Sequence, residues 1–430
     1  MNVAIGTREG LLVWLFSLFI FLFVLVQVHV VLFDFAVNIN LADFFVMLVL
    51  SAALLDSVYG KAVVRWRVRN FNVCVLFTCL ALFSGWLVAL LSDYSISWAS
   101  TKLIGWFVIL GYVYSSALLV NALGFFAFFR FFNLLLVFFV GILLLSDLIL
   151  FLEIINGMSD GTVHLSYLTA LSGNRNALAF QILAVLSLML AFQSLYARGG
   201  RLSSRLLLFS AIVLVCSMFL TSSRSGIATM LLLYLFALFM RVADWRFLSC
   251  SMIGGVLFSL LIFYFPDIYY FFCSLLSLEG QVARGEVAMA ISSTESDLLR
   301  GRLLKDSFAM WLDNPFWGAG LGAFYTGSEA VYGFSIVQHN SVLWVLSEMG
   351  LFGFAIFTVL FLSLVWFAFL AGKRGIRQNA VILLLVSLGA MAMFHEMLYQ
   401  RIFWLFLGAV IALGFSGKTS GSGVVDKSTA

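Results

Sequence analysis

Arg300, Arg302 and Lys305 fall within six positions of one another in a 430-residue chain of which only 10% is charged. Guanidinium and ammonium groups hold phosphates, and the planar guanidinium can do so through two parallel hydrogen bonds. Arg302 and Lys305, three apart, share one face if the segment is helical. Downstream come Asp313-Asn314-Pro315, glycines at 318, 320 and 322, and His339-Asn340. His339 is one of four histidines, and imidazole, with an ordinary pKa of about 6.5, is the natural proton acceptor at neutral pH. Upstream, Ser222-Ser223-Arg224-Ser225-Gly226 sets another arginine among hydroxyls at the start of an apolar run, where free helix amides also favour an anion. Arg175, in Gly173-Asn174-Arg175-Asn176, is a weaker candidate for the same task.

Each of these residues has a blander reading. Arg224 and Arg175 can snorkel from a hairpin into an interface, and Arg300, Arg302 and Lys305 can form the solvated face of an interfacial helix. A lone histidine is more often a packing residue than a base. His164 and His395 compete with His339 for the catalytic place, whereas His29 falls inside an apolar run and reads as structural. The acidic residues of the same stretch are scattered, without metal-ligand spacing, so the expected chemistry uses no metal or other cofactor.

A mean hydropathy of +1.11 and 63% hydrophobic residues exclude a water-soluble globular protein. The apolar runs have helical length, so the expected class is an all-α polytopic membrane protein rather than a barrel. Windows near 11–33, 42–58, 71–91, 103–120, 131–154, 176–196, 206–221, 226–240, 247–265, 352–371, 379–395 and 402–416 give about twelve spans. The first is too long for a signal-peptide core and is read as a retained span. With a cytoplasmic N-terminus, 16 of the 24 Lys and Arg fall on the inside and 8 on the outside, which sets the orientation. The eight outside cations are Lys102, Arg175, Arg224, Arg284, Arg300, Arg302, Lys305 and Arg401.

These windows divide the chain into spans 1–9 over residues 1–265, an outer segment over 266–351, spans 10–12 over 352–416, and a Gly/Ser-rich flexible cytoplasmic tail over 417–430. The outer segment is too long for an ordinary connection, and loops of that size are usually functional. Apolar spacing around Leu298–Leu312 and Val342–Leu346 predicts interfacial helices, with a stop at Asp313-Asn314-Pro315 and a tight bend at the three glycines. Asp147, inside the fifth span, must face a partner or a wet cavity, and Glu153 lies nearer the outer edge. The cysteines lie almost entirely in apolar runs and predict packing rather than disulfides.

The ordered set Ser222-Ser223-Arg224-Ser225-Gly226, Gly301-Arg302, Trp311, Asn314-Pro315, Gly318-x-Gly320-x-Gly322, His339-Asn340 and Glu348-x-Gly350-x-x-Gly353 resembles the O-antigen ligase and polymerase superfamily of bacterial envelopes. The resemblance implies a GT-C-like glycosyltransferase of the inner membrane, working at the periplasmic face without a metal. Its implied donor is a glycan on undecaprenyl diphosphate. For the ligase, the implied acceptor is a sugar hydroxyl of the lipid A core, membrane lipids are further partners, and nucleic acid is not. By position, the essential arginines of the superfamily fall on Arg224 and Arg302 and its histidine on His339, with Arg175, Arg300 and Lys305 as further donor-binding candidates. A polysaccharide polymerase or protein O-oligosaccharyltransferase would use the same donor. A lipid-linked glycan transporter, from another class, should show paired broken spans and repeat symmetry, which the sequence lacks.

Overall fold

In lipid, a backbone must satisfy its own hydrogen bonds, and a helix does so within one segment. The computed structural model describes residues 8–32, 35–58, 69–92, 96–159, 168–198, 201–275, 291–370 and 375–412. Most of these are helical. The chain opens with α1 (Arg8–Phe23), a hairpin of β1 (Gln27–Leu32) and β2 (Phe35–Asn40), and α2 (Leu41–Val58). Then come α3 (Arg69–Leu91), α4 (Ile96–Leu123), α5 (Phe125–Ser159), a 3-10 turn at Ala170–Ser172, α6 (Arg175–Arg198), α7 (Arg201–Leu220), α8 (Arg224–Phe239) and α9 (Trp245–Leu275). The rest is α10 (Ile291–Asp313), α11 (Ala323–Tyr332), α12 (Ser341–Leu370), α13 (Ile376–Ala392) and α14 (Arg401–Ala412). His164, Arg284 and the tail 417–430 lie outside the described residues, as do Lys61, Arg65, Arg67, Lys373 and Arg374 among the cations expected on the inside.

Among the described residues, six helices can cross a membrane by length and composition: Ile96–Leu123, Phe125–Leu152, Arg175–Ala197, Leu202–Leu220, Trp245–Ile262 and Ser341–Trp366. Shorter apolar stretches lie in α1, α2, α3, α8, α13 and α14. The protein is therefore an all-α polytopic membrane protein with one hairpin among its described residues. Because lipid tails are as apolar as leucine, its helices associate through close packing rather than through hydrophobic burial. Helix α6 is the centre, with α7, α8, α13 and α14 around it, and α14 is buried along its whole length against α4. At Gly408 a Cβ would lie 2.3 Å from the Val113 carbonyl oxygen, so that approach requires glycine.

The first span differs from expectation. Residues 11–33 are not one helix: α1 stops at Phe23, and Gln27–Leu32 pairs antiparallel with Phe35–Asn40, His29 opposite Asn38. The run contains Val28, Val30 and Val31, whose branched Cβ favours the extended chain. Asn40 fixes the end of the hairpin. Its Nδ2 donates to the Val24 carbonyl (2.8 Å), while its Oδ1 accepts the Ala42 amide (2.9 Å) at the start of α2.

The glycine bend locks the outer segment to α12. Gly318, Gly320 and Gly322 all take positive φ, and α12 itself is broken at Gly350 (φ 63°, ψ −165°). Peptide groups cross between the two: Ala319 N–H donates to the Ser347 carbonyl (2.8 Å), Gly320 N–H to the Glu348 carbonyl (3.0 Å), and Leu351 N–H to the Pro315 carbonyl (2.8 Å). A Cβ on Gly350 would sit 2.3 Å from the Phe316 carbonyl oxygen, and one on Gly318 2.3 Å from the Glu348 carbonyl carbon. The buried Glu348 carboxylate accepts from Gly322 N–H (2.9 Å) and Trp344 Nε1–H (2.7 Å), closing the same joint. The first half of α12, with His339 just before it, is thereby held at a fixed angle to the second.

Candidate functional site

Arg224 is the first residue of α8, and the local sequence puts it there. Ser222 takes a positive φ (52°) to turn the chain, and Ser223 caps the helix by accepting Gly226 N–H (3.2 Å). Ser223 Oγ also donates to Asn176 Oδ1 (2.9 Å) beside Arg175. At Gly226 a Cβ would meet the Ala179 Cβ at 2.8 Å, so the start of α8 lies tightly on α6.

A cavity of about 400 Å³ opens beside this turn, lined by the polar Arg224, Ser225, Arg300 and His339 together with the apolar Ala228, Leu304, Met393 and Phe394. Residues 175–400 thus send three of the proposed groups, Arg224, Arg300 and His339, to one place. Arg302 and Lys305 are not in that lining, and both are exposed. At 100° per residue, Arg300 and Leu304 share one arc of α10 beside the buried Leu303 and Ser307, while Arg302 lies about 200° from Arg300. The arc of Arg302 carries Asp306, whose carboxylate accepts from the Tyr332 hydroxyl. Arg175 stands at the start of α6 and its charge reaches His395.

His395 is the partner that the sequence reading ranked only as a competitor. Its ring centroid is 6.0 Å from that of His339, with the rings at 88°, and its Nε2 is 2.8 Å from Ser225 Oγ. The two histidines are held by a clasp between the start of α12 and the loop after α13. Asn340 Nδ2 donates to the Met393 carbonyl (2.9 Å), and Ser341 Oγ donates to the His395 carbonyl (2.9 Å). Asn340 Oδ1 meanwhile accepts the Val342 and Leu343 amides (2.9 Å each), capping α12.

The electrostatics keep both imidazoles neutral. Burial lowers the pKa of His339 below its ordinary 6.5 and the Arg300 charge lowers it further, against an opposing pull from Glu396. Burial pushes His395 down to about 3, helped by His339, Arg300 and Arg175. A neutral His339 beside two guanidiniums can accept a proton, while the guanidiniums hold an anion. Among the described residues, no three His, Cys, Asp or Glu side chains are grouped to hold a metal ion.

Two more of the eight cations expected on the outside serve structure. Lys102 pairs with Glu396 and lies 4.9–5.4 Å from the ring centroids of Tyr399, Trp344 and Trp98. Arg401 grips both Asp43 oxygens (2.7 and 2.8 Å), and Asp43 also accepts from Tyr112 (2.7 Å). These pairs pin the 393–400 loop against α2 and α4, and so fix His395. No spacing in the sequence reveals them, because each partner comes from a distant span.

The fold and site define a multi-pass membrane protein with a cationic, histidine-containing cavity half lined by apolar groups. Residues 209–358, from within α7 to within α12, match the family model described as O-Antigen ligase. The match includes Arg224, Arg300, Arg302, Lys305 and His339 and stops short of His395. No curated protein matches the chain.

Proposed function

We propose that this protein is an O-antigen ligase, transferring a glycan from undecaprenyl diphosphate to a sugar hydroxyl of the lipid A core at the periplasmic face of the inner membrane. The observation that carries the reading is the convergence of Arg224, Arg300 and His339 on one cavity whose lining also includes the apolar Ala228, Leu304, Met393 and Phe394. A lipid-linked diphosphate has the same two characters: two phosphates for the guanidiniums and a hydrocarbon chain for the apolar groups.

In the proposed step the acceptor oxygen attacks the anomeric carbon while the bond from that carbon to the diphosphate oxygen breaks. The hydroxyl proton passes to His339, and undecaprenyl diphosphate leaves with the bonding electron pair. A single displacement inverts the anomeric configuration. Negative charge grows on the leaving diphosphate, and fixed guanidiniums in a partly dry site stabilise it without reorganisation. Two such groups supply the charge that a divalent ion provides in other phosphate chemistry, so we propose a metal-independent reaction of GT-C type. In this scheme Arg224 and Arg300 bind the diphosphate, Arg175 adds positive field behind His395, and Arg302 and Lys305 face outwards toward lipid headgroups or solvent.

The test is the envelope of cells lacking the gene. Polymer accumulating on the lipid carrier beside bare lipid A core supports the ligase. Lipid A core carrying single repeat units identifies a polymerase instead and overturns the acceptor assignment.

A further inference from the structure

A chain of hydrogen bonds leads from His395 into the cationic cavity and out again, and its direction is fixed at one end. Ser223 Oγ donates its proton to Asn176 Oδ1 (2.9 Å) and accepts the Gly226 amide (3.2 Å). Ser223 is therefore an acceptor, not a donor, toward Ser225 Oγ, which lies 3.3 Å away. Ser225 Oγ has its short contact, 2.8 Å, with His395 Nε2. If His395 Nε2 carries the proton, every bond runs one way: His395 to Ser225, Ser225 to Ser223, Ser223 to Asn176. The long Ser225–Ser223 link is then the weakest, and Ser225 lines the cavity beside Arg224, Arg300 and His339. An anion in the cavity can take the Ser225 proton from that link at little cost.

Resting on the diphosphate reading above, we infer that Ser225 donates a hydrogen bond to a phosphate oxygen of the bound lipid-linked donor, and that His395 is the positioning residue that directs the Ser225 proton into the cavity. Two further features agree. Burial and the nearby cations hold His395 neutral, so its Nε2 carries at most the one proton that the chain requires. The clasp of Ser341 Oγ on the His395 carbonyl (2.9 Å) and the Met397 amide on Ser341 Oγ (3.2 Å) fixes the backbone that carries the imidazole against the start of α12. The opposite tautomer would take the proton of Ser225 and turn oxygen lone pairs toward the phosphate. His395 thus acts through Ser225, while His339 remains the group facing the acceptor hydroxyl.

The test uses the full chain in lipid nanodiscs. It measures undecaprenyl diphosphate affinity, competition by inorganic pyrophosphate, and kcat and KM with the lipid-linked donor, with thermal midpoints as a folding control. Ser225→Ala should weaken donor binding by about tenfold to a hundredfold, the value of one hydrogen bond to a charged group. Ser225→Thr keeps the hydroxyl and should restore binding. His395→Gln presents an N–H where Nε2–H stood and should behave like wild type, whereas His395→Glu, which accepts from Ser225, should match Ser225→Ala. A merely structural histidine would make Gln and Glu fail together, with lowered midpoints, and that result overturns the positioning role. Ser225→Ala binding at the wild-type affinity overturns the donor role while leaving the diphosphate reading intact. Wild type failing to bind undecaprenyl diphosphate removes both.

Discussion

Replacing Arg300 by alanine should abolish most glycan transfer, while the same change at Arg302, two residues away, should leave it nearly intact. Arg300 lines the cavity one helical turn from Leu304, and Arg302 lies about 200° around α10 on its exposed side. Losing a charge-assisted contact to a diphosphate costs about 1.5–3 kcal/mol per hydrogen bond, and removing one donor to a developing oxyanion lowers kcat by about 10²–10³. We expect Arg300→Ala to fall in that range. For Arg302, an exposed charge worth at most about 1 kcal/mol, the loss should stay within about fivefold. The assay is transfer of a radiolabelled glycan in proteoliposomes, followed over pH. Arg300 also depresses the His339 pKa, so its removal should raise that pKa and move the acid limb of kcat/KM to higher pH. Arg302→Ala should leave that limb in place. Transfer at the wild-type rate by Arg300→Ala, with Arg302→Ala inactive, would refute the assignment of cavity-facing residues.

His339 must be neutral to accept a proton, and its pKa is lowered from 6.5 by burial and by Arg300. The midpoint of the acid limb should therefore lie below pH 6.5, with activity retained at neutral pH. His339→Ala should lose about 10²–10⁴ in kcat and with it the acid limb, measured by initial rates across pH 5–8. Gly350→Ala forces a side chain to φ 63° and a Cβ to 2.3 Å from a carbonyl oxygen, which should cost at least about 2 kcal/mol and lower the thermal midpoint by several degrees. An unchanged midpoint would mean that the break in α12 is not strained.

Hydropathy made the apolar helices legible because a backbone in lipid satisfies its own hydrogen bonds as a helix, although of the twelve expected spans six described helices are long and apolar enough to cross and six are shorter. It failed at Val28–Val31, where an apolar β-branched run has the same hydropathy whether it continues a helix or pairs as a strand. Positive-inside counting isolated the outside cations but treated all eight alike. Lys102 and Arg401 are ion-paired to Glu396 and Asp43, partners far away in the chain. The spacing of Arg302 and Lys305 does place them on one face; which face meets the cavity depends on how α10 packs, and Leu303 and Ser307 are the residues that turn inward. The role of His395 was hidden for the same reason. Its clasp joins residues 54 positions apart, and nothing in the sequence near it signals that contact.

The most direct measurement combines purified protein in a bilayer with undecaprenyl-diphosphate-linked polymer and lipid A core, and follows both the lipid A product and the carrier released. The account predicts polymer joined to lipid A core, one carrier freed per bond, inverted anomeric configuration at the new linkage, and loss of product with Arg300→Ala or His339→Ala. Longer polymer still on the carrier, with the lipid A core untouched, would contradict it.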